Sequence, residues 1–233
     1  MTSPADYQRQ FYDDMMDGAV RSANAVVPIV MNLLGNPSSV VDFGCGPGAW
    51  LREFKRCGAS RISGYDFGEG ARESLLIDAS DYSSVDLSAP VKAQPHNLCV
   101  SLEVAEHLDE SAADTFIDSL VNSASRILFS AAVPKQGGHQ HINEQPPSYW
   151  ISKFEKRNFR CFDVLRPIVW DDNRIDWWYR QNMLLFLDAG LIYEAERLSE
   201  LPSFRGAHII HPESYAGIHS WLQQALNRVR PGQ

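Results

Sequence analysis

The run Val40-Val41-Asp42-Phe43-Gly44-Cys45-Gly46-Pro47-Gly48 constrains the fold more than any other stretch of the chain. Its apolar head has strand length, its alternating glycines make a sharp turn, and residues 49–57 beyond them carry a helical pattern. Without Cβ atoms at such a turn, a ligand can approach the main chain closely. The unit of strand, turn and helix recurs. Strands are expected over 39–43, 61–66, 97–102 and 126–131, with a smaller one near 82–87 and a helix over 111–123. Alternation at this spacing means a parallel sheet covered on both faces, an α/β fold.

The ends of the chain read differently. Val20, Ala23, Val26, Val27, Val30, Met31 and Leu34 recur at three- to four-residue intervals, a helical stripe bent at Pro28. Residues 134–149 hold Gly137-Gly138, three prolines and no apolar period, so a long ordered loop of functional kind is expected. A helix over 148–157, a strand over 159–165, an aromatic loop and a strand over 182–187 follow, the last two strands pairing antiparallel at the sheet edge. The tail ends in a helix over 213–230 with Tyr215, Ile218, Trp221, Leu222 and Leu226 on one face. Residues 1–233 thus form a single domain: a helical cap over 1–36, a core over 38–187 and a C-terminal helical extension over 188–233.

Composition removes several classes of function. Twenty-one Lys and Arg against 29 Asp and Glu leave a net charge of −8, which repels nucleic acid on average, and no nucleic-acid partner is expected. No apolar run approaches membrane-spanning length, and residues 1–6 do not begin a secretory signal, so a cytoplasmic protein without membrane contact is expected. Cys45, Cys57, Cys99 and Cys161 are widely spaced, which suits buried free thiols better than a zinc site or a redox pair. Trp170, Trp177 and Trp178 crowd into nine residues, with Tyr149 and Trp150 upstream; such density suggests either a pocket wall or an interface, including that of a homodimer.

Two ligands fit a glycine turn of this type. Gly44, Gly46 and Ala49 satisfy the looser dinucleotide fingerprint, but Asp42 would repel a pyrophosphate, whereas it favours a ligand ammonium group. With Asp42, Gly44, Gly46 and Gly48 in place, the chain resembles the class I S-adenosylmethionine-dependent methyltransferases, whose first motif is an acidic residue followed by x-G-x-G-x-G. Asp66 matches the carboxylate that holds the ribose hydroxyls in that family, and Asp86-Leu87 its adenine site. The segment from Ser101 to Leu108 resembles the one after the fourth strand in ubiquinone-biosynthesis methyltransferases. The resemblance covers residues 38–187. It implies a Rossmann-like, doubly wound, mostly parallel seven-stranded sheet with an antiparallel edge hairpin. It also implies S-adenosyl-L-methionine as cofactor, S-adenosyl-L-homocysteine as product, and a cofactor site built from Asp42, Phe43, Gly44, Gly46, Gly48, Asp66, Asp86, Leu87, Ser101 and Leu102.

Glu103, Glu106 and His107 fall at i, i+3 and i+4, so a helical turn there puts all three on one face. Two carboxylates and an imidazole can hold a divalent metal ion. The spacing resembles the metal-binding segment of small-RNA 2′-O-methyltransferases, with His141 or His139 as the candidate fourth ligand. In the competing reading the carboxylates merely start a helix, no metal is used, and His107 acts as a base with His141 as its partner. His139, Asn143, Trp170, Trp178 and Arg180 are the expected acceptor contacts. The expected activity is O-methylation of a small polar or glycosidic acceptor. N-methylation of a small amine, and a non-catalytic cofactor-binding module, are the alternatives.

Overall fold

The computed structural model describes residues 4–67, 74–204, 206 and 208–215, with side chains from residue 16 on. Seven strands form one sheet: β1 (Ser39–Phe43), β2 (Arg61–Asp66), β3 (Tyr82–Ser84), β4 (Leu98–Leu102), β5 (Arg126–Ser130), β6 (Phe159–Phe162) and β7 (Leu184–Asp188). Their order is β3-β2-β1-β4-β5-β7-β6, with β7 antiparallel to both of its neighbours and every other pairing parallel. This is the doubly wound sheet expected from the sequence. The chain leaves β1 toward β2 and β3 on one side and resumes at β4 on the other, so the crevice beyond the C-terminal ends of β1 and β4 is where such a sheet binds ligands.

Side-chain alternation builds a core on each face. Val40, Leu98, Val100, Leu128 and Leu185 pack on one side with Val26, Val30, Leu51 and Phe54, from α1 (Pro4–Leu33) and α2 (Ala49–Arg56). Val41, Phe43, Cys99, Phe129 and Phe186 pack on the other with Phe116, Leu120, Trp150 and Phe154, from α3 (Ala113–Ser123) and α4 (Pro147–Glu155). Every residue of β1 and β4 is buried, which explains why these strands read as mostly apolar rather than as alternating apolar and polar.

Several boundaries depart from expectation for local reasons. The small third strand stops at Ser84, because the Asp86 carboxylate accepts from the Ser88 amide and hydroxyl and turns the chain away. The strand expected over 159–165 ends at Phe162, and the aromatic stretch is no open loop but two short helices, α5 (Arg166–Val169) and α6 (Trp177–Asn182). Pro167 suits the first turn of α5. Because α6 runs through Asn182, β7 starts only at Leu184. The tail carries α7 (Ile192–Ser199), and residues 212–215 begin a helical turn; the rest of the helix expected over 213–230 lies outside the described residues. Among the described residues no helix is long and apolar enough to cross a membrane.

Candidate functional site

The glycine turn at the end of β1 is tied to β2. The Gly44 amide donates to the Tyr65 carbonyl at 2.7 Å, and the Gly46 amide donates to the Asp66 carboxylate at 2.5 Å. Two of the glycines serve different ends. A Cβ on Gly44 (φ 84°) would lie 2.2 Å from the Val104 side chain, so the turn itself requires glycine there. A Cβ on Gly46 (φ 52°) would meet nothing within 4 Å and would project into open space. That space belongs to a cavity of about 670 Å³ at the β1–β4 crevice, whose wall includes Gly44, Gly46, Asp66, Phe67, Asp86 and Leu87.

The carboxylates around this cavity are perturbed in different senses. Burial, with Asp66 adding to it, pushes Asp42 well above the ordinary range. Asp66 is also raised by burial, against the amides of Gly46 and Phe67, which donate to it. Asp86 is exposed and held low by the Ser88 hydroxyl and amide. Among the expected cofactor residues, Gly44, Gly46, Asp66, Asp86 and Leu87 line the cavity, while Asp42, Phe43, Gly48, Ser101 and Leu102 are not among its lining residues. Sequence reasoning missed Phe67. Its ring is 75% exposed beside Asp66, and only its place next to that carboxylate could have flagged it.

Glu103, His107 and Gln140 line the same cavity. After β4 the chain takes a left-handed step at Glu103 (φ 55°) and then a 3-10 turn over Ala105–His107. The carbonyl of Glu106 accepts from the amides of Ile142 and Asn143 at 2.9 and 3.0 Å, which brings the histidine loop onto this turn. The rings of His107 and His141 meet edge to face with centroids 4.9 Å apart. One ligand atom each from Glu106, His107 and His141 lies within 4.8 Å of the others.

Hydrogen-bond accounting shows what this cluster lacks. Glu106 is fully buried, and neither carboxylate oxygen finds a hydrogen bond of normal geometry among the described residues. Burial and the neighbouring Glu103 carboxylate raise it well above the ordinary range, against the amides of Glu106 and Ala132. The Nδ1 of His107 lies 3.4 Å from the Gln140 carbonyl, and that of His141 lies 3.0 Å from the Glu144 carboxylate. An acceptor oxygen at Nδ1 selects the tautomer with the hydrogen there, so in the neutral form of each ring Nε2 presents a lone pair. Desolvation, with His141 and His139 adding to it, pushes His107 below the usual histidine range, against the Gln140 carbonyl. With Glu106 charged and both rings neutral, the three groups would face one another as acceptors.

Glu103 is not one of that trio, although it lies close enough to raise Glu106. Its carboxylate accepts from Gln136 Nε2 at 3.0 Å and from Asn182 Nδ2 at 3.1 Å; burial raises it, and the Ser130, Asn182 and Gln136 hydrogen bonds oppose the rise. Gln181 donates to Gln136 in turn and accepts from the His211 amide, which links the C-terminal segment to the cavity wall. Asn182 was expected as a polar contact of the aromatic wall rather than as a partner of Glu103, and Gln136 and Gln181 were not singled out by the sequence, where a neutral amide carries no pattern.

The expected acceptor contacts are placed variously. His139 is exposed on the histidine loop; Asn143 is buried, with its Oδ1 taken by Gln145 and its Nδ2 unpartnered. Trp170 packs on Phe204 and His211, and Trp178 on Tyr179 and Trp177. Arg180 is buried, donating to the Trp170 carbonyl and pairing with Glu213 at 2.7 Å. None of the five lines the cavity.

Comparison with known proteins gives a consistent picture. The family described as "Methyltransferase domain" matches residues 19–164. No curated protein matches the chain by sequence. Among solved structures, DesVI of Streptomyces venezuelae superimposes with a TM-score of 0.59 at 12% identity, covering 81% of this chain and 100% of that one. The methyltransferase domain of bacterial CtHen1-C gives 0.54 at 18% identity over 72% of this chain and 98% of that one. The magnesium protoporphyrin IX methyltransferase of Synechocystis PCC 6803, solved with bound S-adenosylhomocysteine, gives 0.52 at 16% identity over 80% and 88%. At such identities the likeness is one of fold.

Proposed function

The chain belongs to the methyltransferase-domain family, and from that premise we propose that it moves the methyl group of S-adenosylmethionine onto an oxygen of a small polar or glycosidic acceptor, releasing S-adenosylhomocysteine. In this reading it acts in the cytoplasm as a single domain. The cavity fits the donor: the open face of Gly46 admits a ligand against the backbone, and Asp66 offers acceptor lone pairs for ribose hydroxyls. Leu87 and the exposed ring of Phe67 supply apolar surface for a base, with Asp86 beside them to accept from its amino group. Raised by burial, Asp42 would return to its charged form beside an ammonium group. Bound there, the donor supplies a methyl already activated on sulfonium sulfur, so the chain's task is to position the acceptor and take up its proton.

The observation that carries the oxygen reading is the convergence of the orphaned Glu106 carboxylate with one ring nitrogen each of His107 and His141. Isolated buried carboxylates are costly unless protonated or paired, and these three groups suit a divalent cation of intermediate softness. Held there, the cation would supply positive charge that makes a nearby hydroxyl easier to deprotonate. A second reading rests on the Glu103 carboxylate in the cavity wall, which favours an amine acceptor. There His107, kept neutral by its surroundings, takes the proton itself, a step worth roughly 10²- to 10⁴-fold in rate.

Calorimetry tests the donor site: S-adenosylhomocysteine should bind the wild type and not Asp66→Ala, and binding of NADH instead would overturn the proposal. Methyl transfer from labelled donor to a panel of small hydroxyl compounds should stop on chelation, return with Mn²⁺ or Co²⁺, and leave S-adenosylhomocysteine binding intact. Transfer indifferent to chelation, or confined to amines, favours the second reading.

A further inference from the structure

We propose that Glu144 is the positioning residue of this site: it fixes the tautomer and orientation of His141 and closes the loop that carries it. The proposal rests on the cation reading for its use, but its geometry stands alone. One oxygen of the Glu144 carboxylate accepts from the Gly137 amide at 2.8 Å and from His141 Nδ1 at 3.0 Å; the other accepts from the Lys135 amide at 2.7 Å. Two of these donors belong to the start of the loop and the third is the functional ring, so a single side chain binds both ends together. The ring is confined on its other side as well. A Cβ on Gly138 would lie 2.3 Å from its Cε1 and Nε2, so the imidazole packs directly on glycine backbone.

The chemistry of this arrangement demands a carboxylate. Every partner of Glu144 donates, and both oxygens are engaged, so the amide of a glutamine would face its NH₂ toward a donor whichever way it turned. With the NH₂ toward His141 and Gly137, the conflict at His141 is relieved by flipping its tautomer, so that Nδ1 accepts and Nε2 carries the hydrogen. That flip removes the lone pair the cluster presents. Carboxylates that hold a metal-ligating histidine in this manner typically matter 10- to 100-fold in metal affinity.

The test uses the full-length protein and Co²⁺ as the probe. Long-range ¹H–¹⁵N spectra above neutral pH, without metal, should show His141 with hydrogen on Nδ1 in the wild type and a changed tautomer in Glu144→Gln. Calorimetry and the Co²⁺ visible spectrum should show binding weakened 10- to 100-fold in Glu144→Gln, with S-adenosylhomocysteine affinity unchanged. Should Glu144→Gln not fold, Glu144→Asp serves: charge is kept but reach is shortened, and Co²⁺ binding should weaken while the tautomer holds. A wild type that binds no Co²⁺ overturns the cation reading, and the tautomer still decides the role of Glu144. Hydrogen on Nε2 in the wild type, or an unaltered tautomer and Co²⁺ affinity in Glu144→Gln, overturns this proposal.

Discussion

Substituting alanine at Gly46 and, separately, at Gly44 distinguishes a glycine needed by a ligand from one needed by the fold. At Gly46 the new Cβ meets no protein atom within 4 Å, so the folding cost is the left-handed backbone alone, about 1–2 kcal/mol. At Gly44 a similar backbone cost is joined by a Cβ 2.2 Å from Val104, and overpacking adds about 1–3 kcal/mol. With roughly 2–4 °C of melting temperature per kcal/mol for a domain of this size, Gly46→Ala should melt a few degrees below wild type and Gly44→Ala further below. Ligand binding should reverse the order of interest. Gly46→Ala places a methyl group in the cavity where the donor would lie against the backbone, and a loss of affinity of at least about tenfold, or ~1.4 kcal/mol, is expected. Gly46→Val, with a β-branched side chain, should abolish binding. Calorimetry with S-adenosylhomocysteine and thermal melts with and without it read both quantities. If Gly46→Ala binds as tightly as wild type, the ligand does not approach this backbone and the cradle is misassigned.

Asp42→Asn should separate stability from binding. Because the folded protein holds Asp42 protonated above the pH at which the unfolded chain has lost that proton, stability falls as pH rises from the ordinary carboxylate range toward its raised value. Asparagine removes this loss, so the ligand-free variant should melt higher near neutral pH yet bind S-adenosylhomocysteine at least about tenfold more weakly; a variant that binds normally would remove Asp42 from the site. In the second reading, where His107 is the base, it should set the acid limb of turnover. Its lowered pKa keeps the ring neutral through neutral pH, so the rate should fall only as pH drops below the ordinary histidine value of about 6.5. An acid limb centred at or above that value would refute this assignment.

What the sequence revealed was what local chemistry decides. The turn after β1 is readable because a glycine at positive φ records its conformation in its own identity, and strands buried on both faces show it by mostly apolar runs without alternation. Glu106 and His107 were legible as neighbours. Glu103 was expected beside them on a helical face, but the left-handed step at Glu103 followed by a 3-10 turn rotates it toward Asn182 and Gln136. The aromatic run suggested a wall for the acceptor because density of tryptophan says nothing of direction. Its rings pack into α5, α6 and the tail, and only Gln181 and Asn182 from this stretch extend hydrogen bonds toward the cavity wall.

The difference among the polar groups of this site lies in what each has left to give. Glu144 has both oxygens engaged by three donors and Glu103 is held by neutral amides, so each has partners within the chain. Glu106 has no hydrogen bond of normal geometry, and His107 and His141 are each engaged only at Nδ1 among the bonds described. A proton shared inside the trio would satisfy one lone pair and leave the others facing each other at close range. A cation satisfies all of them together, and a buried carboxylate otherwise pushed toward its neutral form becomes stable in its charged one. In the cation reading, folding brings these three acceptors together beside the cavity at a cost that a positively charged partner offsets. In that reading Glu106, His107 and His141, which leave its place open, are the residues whose substitution should weaken transfer to a hydroxyl.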